Sequence, residues 1–195
     1  MVFPKTRLTP DEYLTFERAS EVKHEYYAGE IFAMTGASEN HNLIVANTIA
    51  ILHAQLRQRP CKMYPSDMRV RTRSGILYTY PDITVVCGTA EFEDKEVDTL
   101  LNPTVIIEVL SPSTEAYDRG KKFQHYRTIP SLQEYLLIAQ DSPQIEHYTL
   151  RNTEWVLTDA NTLDAVITLP SIECMLQLSD VYEKVSFDDT EGNIE

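Results

Sequence analysis

The sequence is poor in the residues that mark several common protein classes. It has 6 glycines and 10 prolines in 195 residues, which excludes collagen-like and low-complexity chains. Its pure apolar runs are a few residues long, as in Val105-Ile106-Ile107, whereas a membrane-spanning helix needs ~20. No membrane partner is expected. The start, Met1-Val2-Phe3-Pro4-Lys5, has no apolar stretch suited to export. The three cysteines, Cys61, Cys87 and Cys174, are odd in number and widely spaced, and no C-x-x-C pair or Cys/His cluster suggests zinc. The expectation is three free, reduced thiols in a cytoplasmic protein.

Positive charge is the largest deficit. The chain carries 17 Lys and Arg against 30 Asp and Glu, a formal net charge of −13. That argues against a generic nucleic-acid binder, whose phosphate contacts need Lys and Arg. The distribution softens the argument. One stretch holds Arg57, Arg59, Lys62, Arg69, Arg71 and Arg73, opposed only by Asp67, and a second holds Arg119, Lys121, Lys122 and Arg127. Each stretch is either a phosphate-facing surface or an ordinary solvated face.

What is present is enough for a core. Hydrophobic residues make up 43% of the chain, and a chain of this length buries roughly 70% of its unfolded surface. Thr9-Pro10-Asp11-Glu12 is a helix start with a capping box. Residues 24–28 and 31–34 read as two strands around a turn at Gly29-Glu30. Ser38 or Asn40 opens the longest helix, to about Gln58, and Pro60 ends it. Strands follow over 63–64, 68–73, 83–87 and 104–110, with an acidic loop over 91–98. A helix is expected over 115–127, a strand over 134–139, an antiparallel meander from Ile145 to Leu169, and a final helix over 173–182. The pattern predicts one α/β domain with a mixed sheet over residues 1–187, and an acidic, frayed tail over 188–195.

Glu108 carries the most information about chemistry. It lies in Thr104-Val105-Ile106-Ile107-Glu108-Val109-Leu110. Alternation puts Val105, Ile107 and Val109 on one face, and Ile106, Glu108 and Leu110 on the other. A carboxylate there must be paired, protonated or bound to metal. Asp82, in Pro81-Asp82 at the mouth of an apolar strand, either caps a turn or joins Glu108 in holding a hard divalent cation such as Mg²⁺. Such a cation can activate water and stabilise charge on a phosphoryl group. Asp118, Lys122 and Tyr126 are spaced by four and share a helix face, with Phe123 toward the core. Lys122 can stabilise developing charge or merely pair with Asp118, and Lys121 replaces it if the register slips by one. Glu30 is either a further acid of the site or a surface hairpin residue. His41 caps or pairs locally, and Asp67 belongs to a turn.

Pro81-Asp82 followed after 26 residues by Glu108 on a hydrophobic strand is similar to the PD-(D/E)xK core of restriction-endonuclease-like nucleases. More closely, the chain resembles the Uma-type endonuclease family. The resemblance rests on residues 25–34, His41, residues 80–86, Ile107-Glu108-Val109-Leu110-Ser111-Pro112-Ser113, Asp118-Arg119-Gly120-Lys121-Lys122-Phe123 and residues 134–137, and spans about Thr9 to Val185. It implies a restriction-endonuclease-like fold, a central mixed sheet flanked by helices. It implies Asp82 and Glu108 as ligands of Mg²⁺, with Mn²⁺ as a substitute, and Lys122 as the catalytic lysine. Glu30, Asp118 and Lys121 would be accessory residues. The common motif places its lysine two residues after the acid, where this chain has Leu110. The expected activity is Mg²⁺-dependent hydrolysis of phosphodiester bonds in DNA. Arg69, Arg71, Arg73 and Arg119 would hold the nucleic acid, and a homodimer would join two basic faces. The alternative is a non-catalytic interaction module that keeps the nuclease fold.

Overall fold

The computed structural model describes residues 7–187, so the tail expected over 188–195 lies outside the described residues. Helix α1 (Pro10–Ala19) starts as its capping box dictates: the Thr9 side chain accepts from the Glu12 backbone N–H, and the Glu12 carboxylate accepts from the Thr9 backbone. Strands β1 (His24–Tyr27) and β2 (Glu30–Ala33) close over Ala28 and Gly29, at φ 49° and 95°. Two successive positive φ values suit a two-residue hairpin turn. The turn therefore sits one residue earlier than expected, and Glu30 is the first residue of β2. Helix α2 (Glu39–Leu56) has Ser38 as its N-cap.

Next come β3 (Cys61–Pro65), β4 (Arg69–Arg71), β5 (Leu77–Thr79), β6 (Ile83–Cys87), β7 (Thr99–Leu100) and β8 (Val105–Val109). A helical stretch follows, then β9 (Glu134–Ile138), β10 (Ile145–Arg151), β11 (Glu154–Ala160), β12 (Val166–Leu169) and β13 (Cys174–Gln177). Among the described residues the strands form a six-stranded sheet, β11-β10-β9-β8-β6-β3, a five-stranded sheet, β2-β1-β5-β4-β7, and the pair β12-β13. The six-stranded sheet is mixed: β8 and β9 run parallel and its other pairs antiparallel.

Strands β6, β8 and β9 are apolar because both faces are covered. Val105, Ile107 and Val109 pack with Ile44, Leu52 and Leu56 of α2, while Ile106 and Leu110 pack with Phe123 and Tyr126 from the helical stretch on the opposite face. Each such side chain contributes roughly 1.5–3 kcal/mol when fully buried. The five-stranded sheet is tied to α1 by a cluster of Tyr13, Tyr26 and Tyr78, with ring centroids 5.1–5.7 Å apart. This cluster sets β1 beside β5. Tyr80, Pro81 and Asp82 then carry the chain from β5 in one sheet to β6 in the other.

Four further expectations are corrected. The helix expected over 115–127 is interrupted: a turn at Glu115–Tyr117 (α3) leads into a π-helical turn, Asp118–Lys122, and then α4 (Phe123–Tyr126). Both Asp118 and Lys122 are buried on that turn, where a widened helix is common at functional sites. The segment expected as a final helix begins as β13, because Cys174 and Leu176 are buried while Met175 is exposed, and only Leu178–Val181 (α5) is helical. The late strands also divide: β10 and β11 extend the main sheet, whereas β12 pairs with β13 instead of continuing the meander.

The fourth correction concerns the cysteines. Cys61 and Cys87 stand opposite each other in β3 and β6 and form a disulfide, leaving Cys174 as a buried free thiol. Strand register decided this, and a separation of 26 residues could not reveal it. The cysteine argument for a reducing compartment therefore falls. Among the described residues no helix is long and apolar enough to cross a membrane. Thiol alkylation of the unfolded, unreduced protein should label one cysteine, and three after reduction. Cys61→Ser with Cys87→Ser should lower stability by about 3 kcal/mol, from the loop entropy of a closure of this length, measured by urea unfolding.

Candidate active site

The two central carboxylates come together through strand register. Strands β6 and β8 pair with Ile83 opposite Ile107, so Asp82 lies opposite Glu108 one step beyond the ladder. The Asp82 side chain takes over the role of the next backbone rung: its Oδ2 accepts from the Val109 N–H at 2.7 Å. Its Oδ1 lies 3.1 Å from Nε2 of His41, which is in the first turn of α2. Glu108 is 4% exposed. Its Oε1 accepts from the Tyr126 hydroxyl at 2.8 Å and lies 3.0 Å from Nζ of Lys122.

Lys122 is the hub. Besides Glu108, its Nζ lies 3.2 Å from Oε1 of Glu25 and 3.3 Å from Oδ1 of Asp118. Glu25 is placed by β1, and its Oε1 accepts from the Thr79 hydroxyl on β5. The two sheets and the π-helical turn thus meet at one ammonium group. Burial alone would discharge Lys122, but Glu108, Tyr126, Glu25 and Asp118 hold its pKa well above the ordinary lysine value. Burial pushes the Glu108 carboxyl up to about 8, Lys122 opposes this, and Asp118, Asp82 and Glu25 add to it. Burial also raises Asp118.

The cluster sets four carboxyl groups, Glu25, Asp82, Glu108 and Asp118, beside one lysine and one histidine, and Glu108 is raised to about 8 by burial first and by the neighbouring carboxylates second. The donor set consists of hard oxygens, which fits Mg²⁺ or Mn²⁺. Among the described residues no group of three or more His, Cys, Asp or Glu side chains converges as a ready metal cage. A pair of carboxylates is nevertheless an ordinary complement for Mg²⁺, which keeps several waters and takes substrate phosphates as ligands. Asp82 and Glu108 are the residues that would hold it.

The structure thus brings Asp82, Glu108, Asp118 and Lys122 together. Among the described residues, the carboxylates in ion-pair range of Lys122 belong to Glu25, Glu108 and Asp118. Glu25 joins the expected acids, and Glu30 begins β2 opposite Tyr27. Lys121 is exposed, so Lys122 is the inward lysine, and Leu110 is buried in the core. Arg69 is corrected: it is 3% exposed, donates to Thr99 Oγ1 and the Tyr80 hydroxyl at 2.9 and 2.8 Å, and lies 3.0 Å from Asp98. It holds the five-stranded sheet together and is not available to phosphate. Arg71 faces Glu93 at 3.3 Å, Arg119 pairs with Glu115 and Glu146, and Arg73 is exposed. Sequence reasoning missed Glu25 and Tyr126 as site residues. The signals were an acid inside an aromatic strand, Glu25-Tyr26-Tyr27, and a tyrosine four residues after Lys122.

The raised Glu108 pKa has a consequence for stability. The folded, metal-free protein keeps a proton on Glu108 that the unfolded chain loses above about 4.5. Its contribution is fully present below that value and is lost as pH rises through about 8. In chelator, unfolding free energy from urea titrations should therefore carry a downward component from about pH 5 to 8. Glu108→Gln should remove that component.

Comparison with known proteins bears on the family and the fold. The chain matches the Uma2 family, described as "Putative restriction endonuclease", over residues 10–180. It is 36% identical over 186 residues to the "Uncharacterized protein slr1290" of Synechocystis sp., covering 95% of each chain. It is 40% identical over 161 residues to "Uncharacterized protein sll1609" of the same organism, covering 82% of this chain and 91% of that one. The fold is similar to the crystal structure of "a putative nuclease belonging to DUF820" from Anabaena variabilis, with a TM-score of 0.75, 22% identity, and coverage of 90% of this chain and 97% of the other. With an acidic pair on adjoining strands, a lysine delivered from the following helix and a family match across most of its length, the chain belongs to the Uma2 family of restriction-endonuclease-like proteins.

Proposed function

We propose that the protein is a Mg²⁺-dependent endonuclease that hydrolyses phosphodiester bonds in DNA, with Asp82 and Glu108 as the metal carboxylates. The observation that carries this reading is Lys122 Nζ lying 3.0 Å from Glu108, beside a carboxylate pair on neighbouring strands. The family's description supports nuclease chemistry in general. A divalent cation held there supplies Lewis-acid polarisation of a phosphoryl oxygen and a more acidic water.

The chain's own groups do the rest. Lys122 presents a fixed ammonium to negative charge developing on the phosphoryl group, at a site where the low dielectric strengthens the interaction. Glu25 and Asp118 hold that ammonium in place. The Tyr126 hydroxyl orients Glu108, and the Val109 N–H orients Asp82. The exposed cations Arg57, Lys62, Arg73, Lys121 and Arg127 remain to meet the nucleic-acid backbone, and a homodimer would double them.

A plasmid-nicking assay tests the reading. Wild-type protein should nick DNA with Mg²⁺ or Mn²⁺ and stop in EDTA. Asp82→Ala and Glu108→Gln should abolish nicking, and Lys122→Ala should slow it by roughly 10²–10³-fold, the usual loss of one positioned charge stabiliser. Wild-type rates in either carboxylate variant, or cleavage that persists in EDTA, would overturn the proposal. Cleavage of RNA alone would correct the substrate.

A further inference from the structure

Asp82 is held at both oxygens, and the two donors come from different parts of the fold. The Val109 N–H on β8 reaches Oδ2 at 2.7 Å, and His41 on α2 reaches Oδ1 at 3.1 Å. An ionised carboxylate oxygen only accepts hydrogen bonds, so His41 Nε2 carries the hydrogen in this contact. The backbone that carries the imidazole is itself fixed. Ser38 caps α2 and accepts from the His41 backbone N–H at 3.1 Å, which sets the helix start against the end of β6. Both side chains are largely shielded, at 15% and 16% side-chain exposure.

We infer that His41 is a positioning residue for Asp82: it fixes the plane of the carboxylate so that its remaining lone pairs face the place where a divalent cation is held between Asp82 and Glu108. The inference rests on the metal-dependent reading above. A carboxylate has about four lone-pair sites, and one donor on each oxygen leaves one on each for a cation. The Val109 bond alone ties Asp82 to the strand of Glu108 but leaves the other oxygen without a donor from α2. Partners of this kind are worth about 10–100-fold in metal affinity. His41 already has its backbone hydrogen bond from the helix cap, so a role confined to helix stability does not require the imidazole.

The test is calorimetric titration of Mn²⁺ alone into wild type, His41→Leu, His41→Gln and Asp82→Ala, with a thermal melt of each in chelator. Leucine keeps the bulk and removes the donor, whereas glutamine keeps a side-chain N–H. His41→Leu should weaken Mn²⁺ binding by about 10–100-fold, and His41→Gln should recover most of it. Neither result should follow the melting temperature. If His41→Leu does not fold, a His41→Gln variant that folds and binds Mn²⁺ no better than Asp82→Ala overturns the inference. So does a folded His41→Leu variant with wild-type affinity. Absence of Mn²⁺ binding in the wild type would instead overturn the metal-dependent reading, and the positioning role with it.

Discussion

Everything at this site depends on burying one carboxylate. Glu108 lies on a central strand with both faces covered, where an unpaired negative charge costs several kcal/mol. The fold meets that cost locally with Lys122 and Tyr126, which converge on one Glu108 oxygen. Lys122, buried in turn, needs more than one partner, and it finds Glu25 and Asp118. Each buried charge thus recruits the next, and the chain of requirements reaches from the six-stranded sheet to the five-stranded one.

The architecture follows from that chain of requirements. A regular helix after β8 would carry Asp118 and Lys122 on one face, and the π-helical turn widens the helix where both are buried. The aromatic packing of Phe123 on Tyr135, with ring centroids 5.0 Å apart, holds the following turn against the sheet. On the other side, the tyrosine cluster of α1, β1 and β5 sets Glu25 and Thr79 at the same point. Neither sheet alone assembles the constellation, and it exists where the link Tyr80-Pro81-Asp82 passes between them.

The two buried cations make an instructive contrast. Arg69 is as buried as Lys122, yet its fork lies over the Tyr13 and Tyr80 rings, both 5.7 Å away, and ends on Asp98. Its contacts with Thr99, Tyr80 and Asp98 fix the fork in place, which makes it a fastening. Lys122 is met by three carboxyl groups, those of Glu25, Glu108 and Asp118, and it is at this acid-rich point that a divalent cation is proposed.

Much of this was written in the chain itself. Alternation along residues 104–110 placed Glu108 among apolar neighbours, and local spacing put Asp118, Lys122 and Tyr126 on one helical face, because strand and helix periodicities are properties of the backbone. The capping box at Thr9 and the cap at Ser38 were equally local. Other features needed the folded chain. The Glu25 contact to Lys122, the His41 contact to Asp82, the burial of Arg69 and the Cys61–Cys87 bridge all depend on residues far apart in sequence, through strand register and sheet order. The local pattern could say that a carboxylate would be buried and would need partners, but only the tertiary packing could choose them.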